Sequence, residues 1–188
     1  MKISGNDVRV GFVIKFNDKL WIVTKIQHTQ PGKGGAYMQV EMKGLLDGTK
    51  YHNRFRSSES VEKVFLDDVV YQYLYKEGPN YIFMDPSTFE QVQFNEEFLG
   101  DSSKYLQDNM NVHVSFYEGN PISVRLPDNV VMMITEAEPV VKGQTASSSY
   151  KPALLENGER IMVPPHIDSG MRVVVNTTDG SYVERAKD

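Results

Sequence analysis

The sequence predicts an all-β protein made of three small β-barrel domains. Apolar and polar residues alternate with a period of two over most of the chain, which is typical of half-buried strands. The separators between these stretches are short and rich in glycine, asparagine and aspartate, which favours hairpin turns. A chain of 188 residues has room for one to three such units.

The first domain is predicted over residues 1–64 as an SH3-like, or KOW-like, barrel. Two-residue turns at Asn17-Asp18 and Asp47-Gly48 and a longer glycine-rich tip at 31–35 would connect its strands, because these residue types tolerate positive φ. Four or five short strands in about 60 residues close into a small barrel. The alternating stretches are Phe12–Phe16, Leu20–Ile26, Ala36–Met42 and Thr49–Phe55.

Two OB-fold-like barrels are predicted to follow, over residues 65–127 and 128–188. The middle domain also holds the best helix candidate of the chain, with Asn95 as its N-cap and Phe94 and Leu99 as a hydrophobic staple. The strands expected in these two domains are Val69–Tyr75, Tyr81–Met84, Val112–Tyr117, Ile122–Leu126, Val130–Ile134, Arg160–Val163, Met171–Val175 and Tyr182–Arg185.

Charge is distributed unevenly along the chain. The net charge is −5, yet residues 1–64 carry eleven bases against six acids, residues 65–127 three against ten, and residues 128–188 six against nine. Lysine and arginine bind phosphates by releasing counterions, so the first domain is the one expected to face a polyanion. Uneven solvation of ordinary surfaces would explain the same pattern equally well.

Several classes of site and compartment are disfavoured by composition. We expect no membrane span and a cytoplasmic location, because no stretch of about 18 apolar residues occurs and charges interrupt the first 20 residues. The chain has no cysteine, and its four histidines share no metal-ligand spacing. The paired acids Asp67-Asp68 and Glu96-Glu97 point apart on a strand or helix, so they form no acid/base dyad. We therefore predict no catalytic residue, metal or cofactor.

Lys33 is the most informative single residue. In the segment Gln30–Ala36, Pro31 and three glycines (Gly32, Gly34 and Gly35) surround this one cation, so the backbone can turn tightly and nothing bulky shields the ammonium group. The spacing of a nucleotide-binding phosphate loop is absent. A solvated lysine in an ordinary hairpin turn remains the alternative interpretation.

These segments together resemble the bacterial elongation factor P family. The resemblance begins at Gln30–Tyr37 and continues in the same order to the end of the chain, which makes the combination highly specific. The matching segments are Gln30–Tyr37, Gly48-Thr49, Thr88–Gln91, Asn120–Val124, Pro139–Gly143 with Thr145, Lys151–Ala153, Val163-Pro164 and Asp179–Arg185.

The resemblance implies a fold and a function. The family's one SH3-like and two OB-like domains form an L, and the factor binds the 70S ribosome between the P and E sites when synthesis stalls on consecutive prolines. Lys33 would carry a group added by a lysine-modifying enzyme and reach the CCA end of the P-site peptidyl-tRNA. The loop at Gly143, Gln144 and Thr145 would approach the small subunit near the E-site codon, although the family often has aspartate in place of Gln144.

The group on Lys33 and the function each have alternatives. A tip lysine resembles the members that receive β-lysine, but other members carry a different group or none. We expect a monomer that performs no bond chemistry itself. The competing hypotheses are a freestanding RNA-binding module that uses the basic first domain, and a β-barrel hydrolase that uses unpaired carboxylates. Binding to RNA but not to ribosomes would favour the former, and turnover without ribosomes the latter.

Overall fold

The computed structural model of the chain describes residues 1–140 and 149–187. Within these ranges, sixteen strands form three sheets of six, five and five strands, and there is one short α-helix. The prediction of an all-β chain with three small β-barrel domains is confirmed. None of the described helices is both long and apolar enough to span a bilayer.

The first sheet has the strand order β1-β6-β2-β3-β4-β5. Its β3–β4 pair is the longest hairpin of the barrel, and its inward residues join one apolar core around Trp21, Met38 and Phe55. All four predicted strands are present, whereas β1 and β6, which pair with each other at one side of the sheet, were not predicted. The strands are β1 Lys2–Ser4, β2 Val13–Phe16, β3 Lys19–Thr29, β4 Tyr37–Gly44, β5 Lys50–Arg56 and β6 Ser60–Val64.

The two tight turns of this sheet differ from each other. Asn17 and Asp18 both have positive φ, 50° and 59°, which confirms the two-residue turn between β2 and β3. The prediction of a two-residue turn at Asp47-Gly48 is wrong, because β4 ends at Gly44 and β5 begins only at Lys50. Asp47 Oδ1 accepts a hydrogen bond from the Thr49 amide at 3.0 Å and so stabilises a longer loop.

The second sheet has the order β11-β10-β7-β8-β9 and an aromatic core. The Phe83 ring lies 5.3 Å from those of both Tyr73 and Phe94. The predicted helix is real but short: α1 spans Glu96–Leu99, and the Asn95 side chain caps it as expected. The strands are β7 Asp67–Glu77, β8 Asn80–Met84, β9 Gln91–Asn95, β10 Asn111–Tyr117 and β11 Asn120–Arg125.

The third sheet has the order β14-β13-β12-β15-β16. Its core is aliphatic, with Ile134, Leu155, Val163 and Val173 almost wholly buried. Strand β13, which lies inside this sheet, was not predicted. The strands are β12 Asn129–Ala137, β13 Lys151–Leu155, β14 Arg160–Val163, β15 Arg172–Asn176 and β16 Tyr182–Arg185.

By residue contacts the chain divides into two compact units. One comprises Met1–Val69 with Ser115–Ser123, and the other comprises Val70–Val114 with Val124–Asp188. The middle and third sheets therefore belong largely to one unit. The sequence-based domain boundaries at 64/65 and 127/128 stay predictions.

Candidate functional site

The loop that carries Lys33 is the tip of the β3–β4 hairpin. Pairing of the two strands continues up to Thr29 and Tyr37, immediately beside the loop. Strand β4 is anchored by the alternation of its side chains, because Met38, Val40 and Met42 are all buried in the barrel core. The loop therefore rises from a rigid base although it has few contacts of its own.

Lys33 itself is exposed, as expected. A side chain added at Gly32, Gly34 or Gly35 would meet no atom within 4 Å, so the loop is open on every side. Gly34 has φ +115°, a conformation that favours glycine. Among the residues that the structure describes, none forms a hydrogen bond or ion pair with Lys33, and its ammonium group is free to meet a ligand.

The rest of the loop is held at its ends. The Ala36 carbonyl accepts a hydrogen bond of 3.0 Å from the Ser57 amide, which ties the loop to the segment after β5. Pro31 is half-buried at the other end and fixes the local φ. The open part of the loop is thus limited to Lys33 and the glycines around it.

A basic surface lies on the same hairpin, on the outer face of β3, β4 and β5. Outward side chains of these strands alternate with the buried ones, and β5 presents four cationic or titratable groups in a row: Lys50, His52, Arg54 and Arg56. In the middle of this face is a shallow concavity of about 300 Å³, to which Lys25, His52 and Arg54 contribute. Glu41 is the acid of this concavity and lies 3.8 Å from His52.

Arg54 and Tyr37 connect this basic surface to the loop. The Arg54 guanidinium lies 4.3 Å from the centre of the Tyr37 ring, and Tyr37 is the first residue of β4 after the loop. Stacking on an aromatic face holds a guanidinium in one orientation while its donors remain available. The surface and the loop can therefore contact one extended anionic ligand together.

Sequence reasoning found the loop but not the basic surface. The charge count placed the excess of bases in residues 1–64, but it could not say which face carries them. The signal was present in β5, where Lys50, His52, Arg54 and Arg56 recur with a period of two. That period predicts a common face only if residues 50–56 form a strand, which the structure shows.

The second contact loop predicted from the sequence is the segment 143–145. Gly143, Gln144 and Thr145 lie outside the described residues. The paired acids Asp67-Asp68 and Glu96-Glu97 are exposed surface residues, as the sequence indicated.

Three family models match the chain in succession. They are the elongation factor P KOW-like domain over residues 4–61, the elongation factor P OB domain over 66–124 and the elongation factor P C-terminal domain over 130–185. The matched ranges together cover nearly the whole chain.

Full-length relatives agree with these models. Proteins named elongation factor P from Sphingopyxis alaskensis, Zymomonas mobilis and Brucella canis are 58%, 56% and 54% identical over 186 residues, which is 99% of this chain and 100% of each relative. Among solved structures, translation initiation factor 5A from Methanococcus jannaschii matches with a TM-score of 0.53 at 18% identity, covering 68% of this chain and 92% of that one. That likeness concerns the fold alone. The chain therefore belongs to the elongation factor P family and is a translation elongation factor.

Proposed function

We propose that the protein binds the 70S ribosome between the P and E sites, contacts the P-site peptidyl-tRNA and stimulates peptide bond formation at consecutive prolines. The observation that carries this proposal is the exposed Lys33 on an open glycine loop, in a chain that belongs to the elongation factor P family. The ribosome performs the chemistry, and the factor acts on the position of the substrate in the cytoplasm as a monomer.

Positioning is the physical basis of the proposed effect. Proline's secondary amine and rigid ring make it a poor reactant, so an unproductive pose of the peptidyl-tRNA is costly. Ordering of reacting groups can lower a barrier by about 7–11 kcal/mol in ideal models, and a small part of that would relieve a stall. A cation that reaches the CCA end from a rigid hairpin can supply such ordering.

The basic surface supports a contact with the RNA backbone beside the loop. Lys25, His52 and Arg54 line one concavity, and each phosphate that a cation neutralises releases counterions and adds binding free energy. This surface alone would also suit a freestanding RNA-binding module. The two functions differ in whether the protein prefers ribosomes to free RNA.

Lys33 is also the proposed substrate of a lysine-modifying enzyme. Its ammonium group is exposed and free of intramolecular partners among the described residues, so an enzyme can reach it without unfolding the barrel. Intact mass of the protein from its native host should exceed the sequence mass, and Lys33→Arg should lose the difference. An unmodified wild-type mass would contradict this part of the proposal.

The decisive experiment is in vitro translation of two reporters, one with three consecutive prolines and one without. The variants are wild type, Lys33→Ala and the control Lys2→Ala, which removes an exposed lysine from the edge strand β1. Lys33→Ala should lose most of the rescue of the proline reporter and still bind ribosomes, while Lys2→Ala should rescue like wild type.

The fold should not depend on Lys33. An exposed side chain on an open loop has few contacts to lose, so Lys33→Ala should change the free energy of unfolding by no more than about 0.5 kcal/mol. Equal rescue by a folded Lys33→Ala variant would refute the positioning mechanism. Tight binding of free RNA without binding of ribosomes would favour the RNA-binding module instead.

A further inference from the structure

The loop between β8 and β9 presents an aromatic side chain in an unusual way. Phe89 has φ +62°, in the left-handed region, and its side chain is 71% exposed. A bulky residue is strained in that conformation, which glycine adopts without penalty. Exposure of the ring also leaves apolar surface in water. Because most of the ring is in water, its burial adds little to the stability of the fold.

The strained conformation is held by a network centred on Asp85. The Asp85 carboxylate accepts hydrogen bonds from the amides of Ser87 at 2.8 Å and Thr88 at 3.3 Å. The Phe89 amide donates to the Asp85 carbonyl at 2.8 Å, and the Asp85 amide donates to the Glu90 carbonyl at 2.9 Å. The loop is therefore pre-organised, and a partner that covers the ring need not order it first.

The surroundings of Phe89 are acidic. Asp85 and Glu90 flank it in the loop, which leads directly into the edge strand β9. Residues 65–127 as a whole carry ten acids and three bases. An exposed aromatic ring can stack on a nucleobase, but a neighbouring RNA backbone would be repelled by these carboxylates. Charge complementarity instead fits a partner surface rich in lysine and arginine.

We propose that Phe89 is an anchor by which this factor docks on a basic ribosomal protein, with the ring in an apolar pocket and Asp85 and Glu90 facing cations at its rim. The inference rests on the proposed ribosomal function and adds a second contact of a different chemistry. The β3–β4 hairpin contacts RNA through basic side chains, and the β8–β9 loop contacts a protein through an aromatic ring. Buried aromatic anchors dominate the binding energy of many protein interfaces.

Phe89→Gly separates this role from a structural one. Glycine relieves the left-handed strain, so the thermal stability of the variant should equal or exceed that of wild type, while its affinity for purified 70S ribosomes with P-site tRNA should fall at least tenfold. Phe65→Ala, which removes another phenylalanine ring that is 65% exposed, is the matched control and should bind like wild type. Unchanged affinity of Phe89→Gly, an equal loss in the control, or a less stable Phe89→Gly fold would overturn the proposal.

A photocrosslink identifies the class of partner. With p-benzoylphenylalanine in place of Phe89, irradiation with the same ribosomes should give an adduct to a ribosomal protein of net positive charge. An adduct to ribosomal RNA or tRNA, or no adduct at all, would contradict the inference. Failure of wild type to bind ribosomes would instead refute the proposed function, so the two failures can be told apart.

Discussion

At the scale of single residues, Lys33 and Asp47 are both exposed, but Lys33 bears on the proposed function and Asp47 on the stability of the fold. Lys33 was predictable from sequence because three nearby glycines leave no side chain to bury it, and the structure finds it exposed. Asp47 was assigned only to a turn, because its partners depend on a loop length that the Asp-Gly pair did not reveal. The hydrogen bond from Lys19, which is 28 residues away along the chain, leaves no periodic signal in the sequence.

Asp47 gives a prediction about acid stability. Hydrogen bonding from the Thr49 amide, followed by that from Lys19, lowers the pKa of Asp47 from 3.8 to about 2. The folded state therefore favours the ionised form, and the resulting stabilisation is fully present above about pH 4 and lost as the pH falls through about 2. The melting temperature of Asp47→Asn should consequently fall less between pH 5 and pH 2 than that of wild type.

Lys19→Ala is the matched comparison for this prediction. Lys19 contacts Asp47 at 3.0 Å but supplies only the second cause of the lowered pKa, so the variant should lose part of the pH dependence and keep the rest. Identical pH profiles for wild type and Asp47→Asn, measured by thermal melting followed with circular dichroism, would show that other carboxylates account for the acid sensitivity.

At the scale of elements, most hairpin strands were predictable, whereas β1, β6, β9 and β13 were not. Adjacent alternating stretches joined by turn residues identify both strands of a hairpin, as for β3 and β4. By contrast, β1 is three residues long and finds its partner β6 across the barrel, with Ile3 opposite Val61. Strand β13 was missed because Pro152 lowers its strand propensity. The sheet accommodates Pro152 because the paired register of β12 and β13 reaches only to Ala153. Beside it, Pro152 uses only its carbonyl, which accepts a hydrogen bond from the Glu138 amide at 3.3 Å.

The helix α1 is short enough that its single N-cap should contribute measurably to the free energy of unfolding. The Phe98 amide donates to Asn95 Oδ1 at 2.8 Å, and the helix has only four residues with which to stabilise itself. Asn95→Ala should therefore lower the free energy of unfolding by about 1 kcal/mol. Gln93→Ala, at an exposed position of the preceding strand β9, should change it by less than about 0.5 kcal/mol in the same urea titrations. Equal effects of the two substitutions would argue against the cap.

At the scale of the whole molecule, the segment 100–107 makes several contacts with the third sheet and its turns, within the unit that holds most of the middle and third sheets. Lys104 lies 3.4 Å from Glu159, Gln107 donates to the Val131 carbonyl at 2.6 Å, and the hydroxyl of Tyr105 lies where a side chain at Gly180 would be. No sequence pattern revealed this contact, since a glycine in an Asp-Gly turn looks the same whether or not a neighbour covers it.

Gly180→Ala should therefore be more damaging than a glycine substitution in an open turn. Both Gly180, with φ +74°, and Gly170, with φ +87°, are in the left-handed region, where alanine costs about 1–2 kcal/mol. Only Gly180 faces Tyr105, so its substitution should cost a further 1–3 kcal/mol, roughly the range for overpacking. Tyr105→Phe combined with Gly180→Ala should remove most of the extra cost. Denaturant unfolding of Gly180→Ala, Gly170→Ala, Tyr105→Phe and the double variant measures it. Equal losses of unfolding free energy for Gly180→Ala and Gly170→Ala would show that the Tyr105 side chain moves aside at no measurable cost.

The distribution of charge over the whole chain determines which surface can meet RNA. A protein of net charge −5 is repelled by RNA unless its bases are gathered on one surface, and the outer face of β3, β4 and β5 is such a surface. If Arg54 contacts a phosphate there, Arg54→Ala should weaken binding to ribosomes with P-site tRNA and reduce the slope of log K against log salt by about 1.

Arg54→Lys should keep the slope but lose affinity, because it retains the charge and gives up the planar stacking on Tyr37. Arg125→Ala removes an exposed arginine from β11 and should leave both quantities as in wild type. A slope unchanged in Arg54→Ala, or reduced equally in Arg125→Ala, would mean that the acidic chain meets RNA through some surface other than this one.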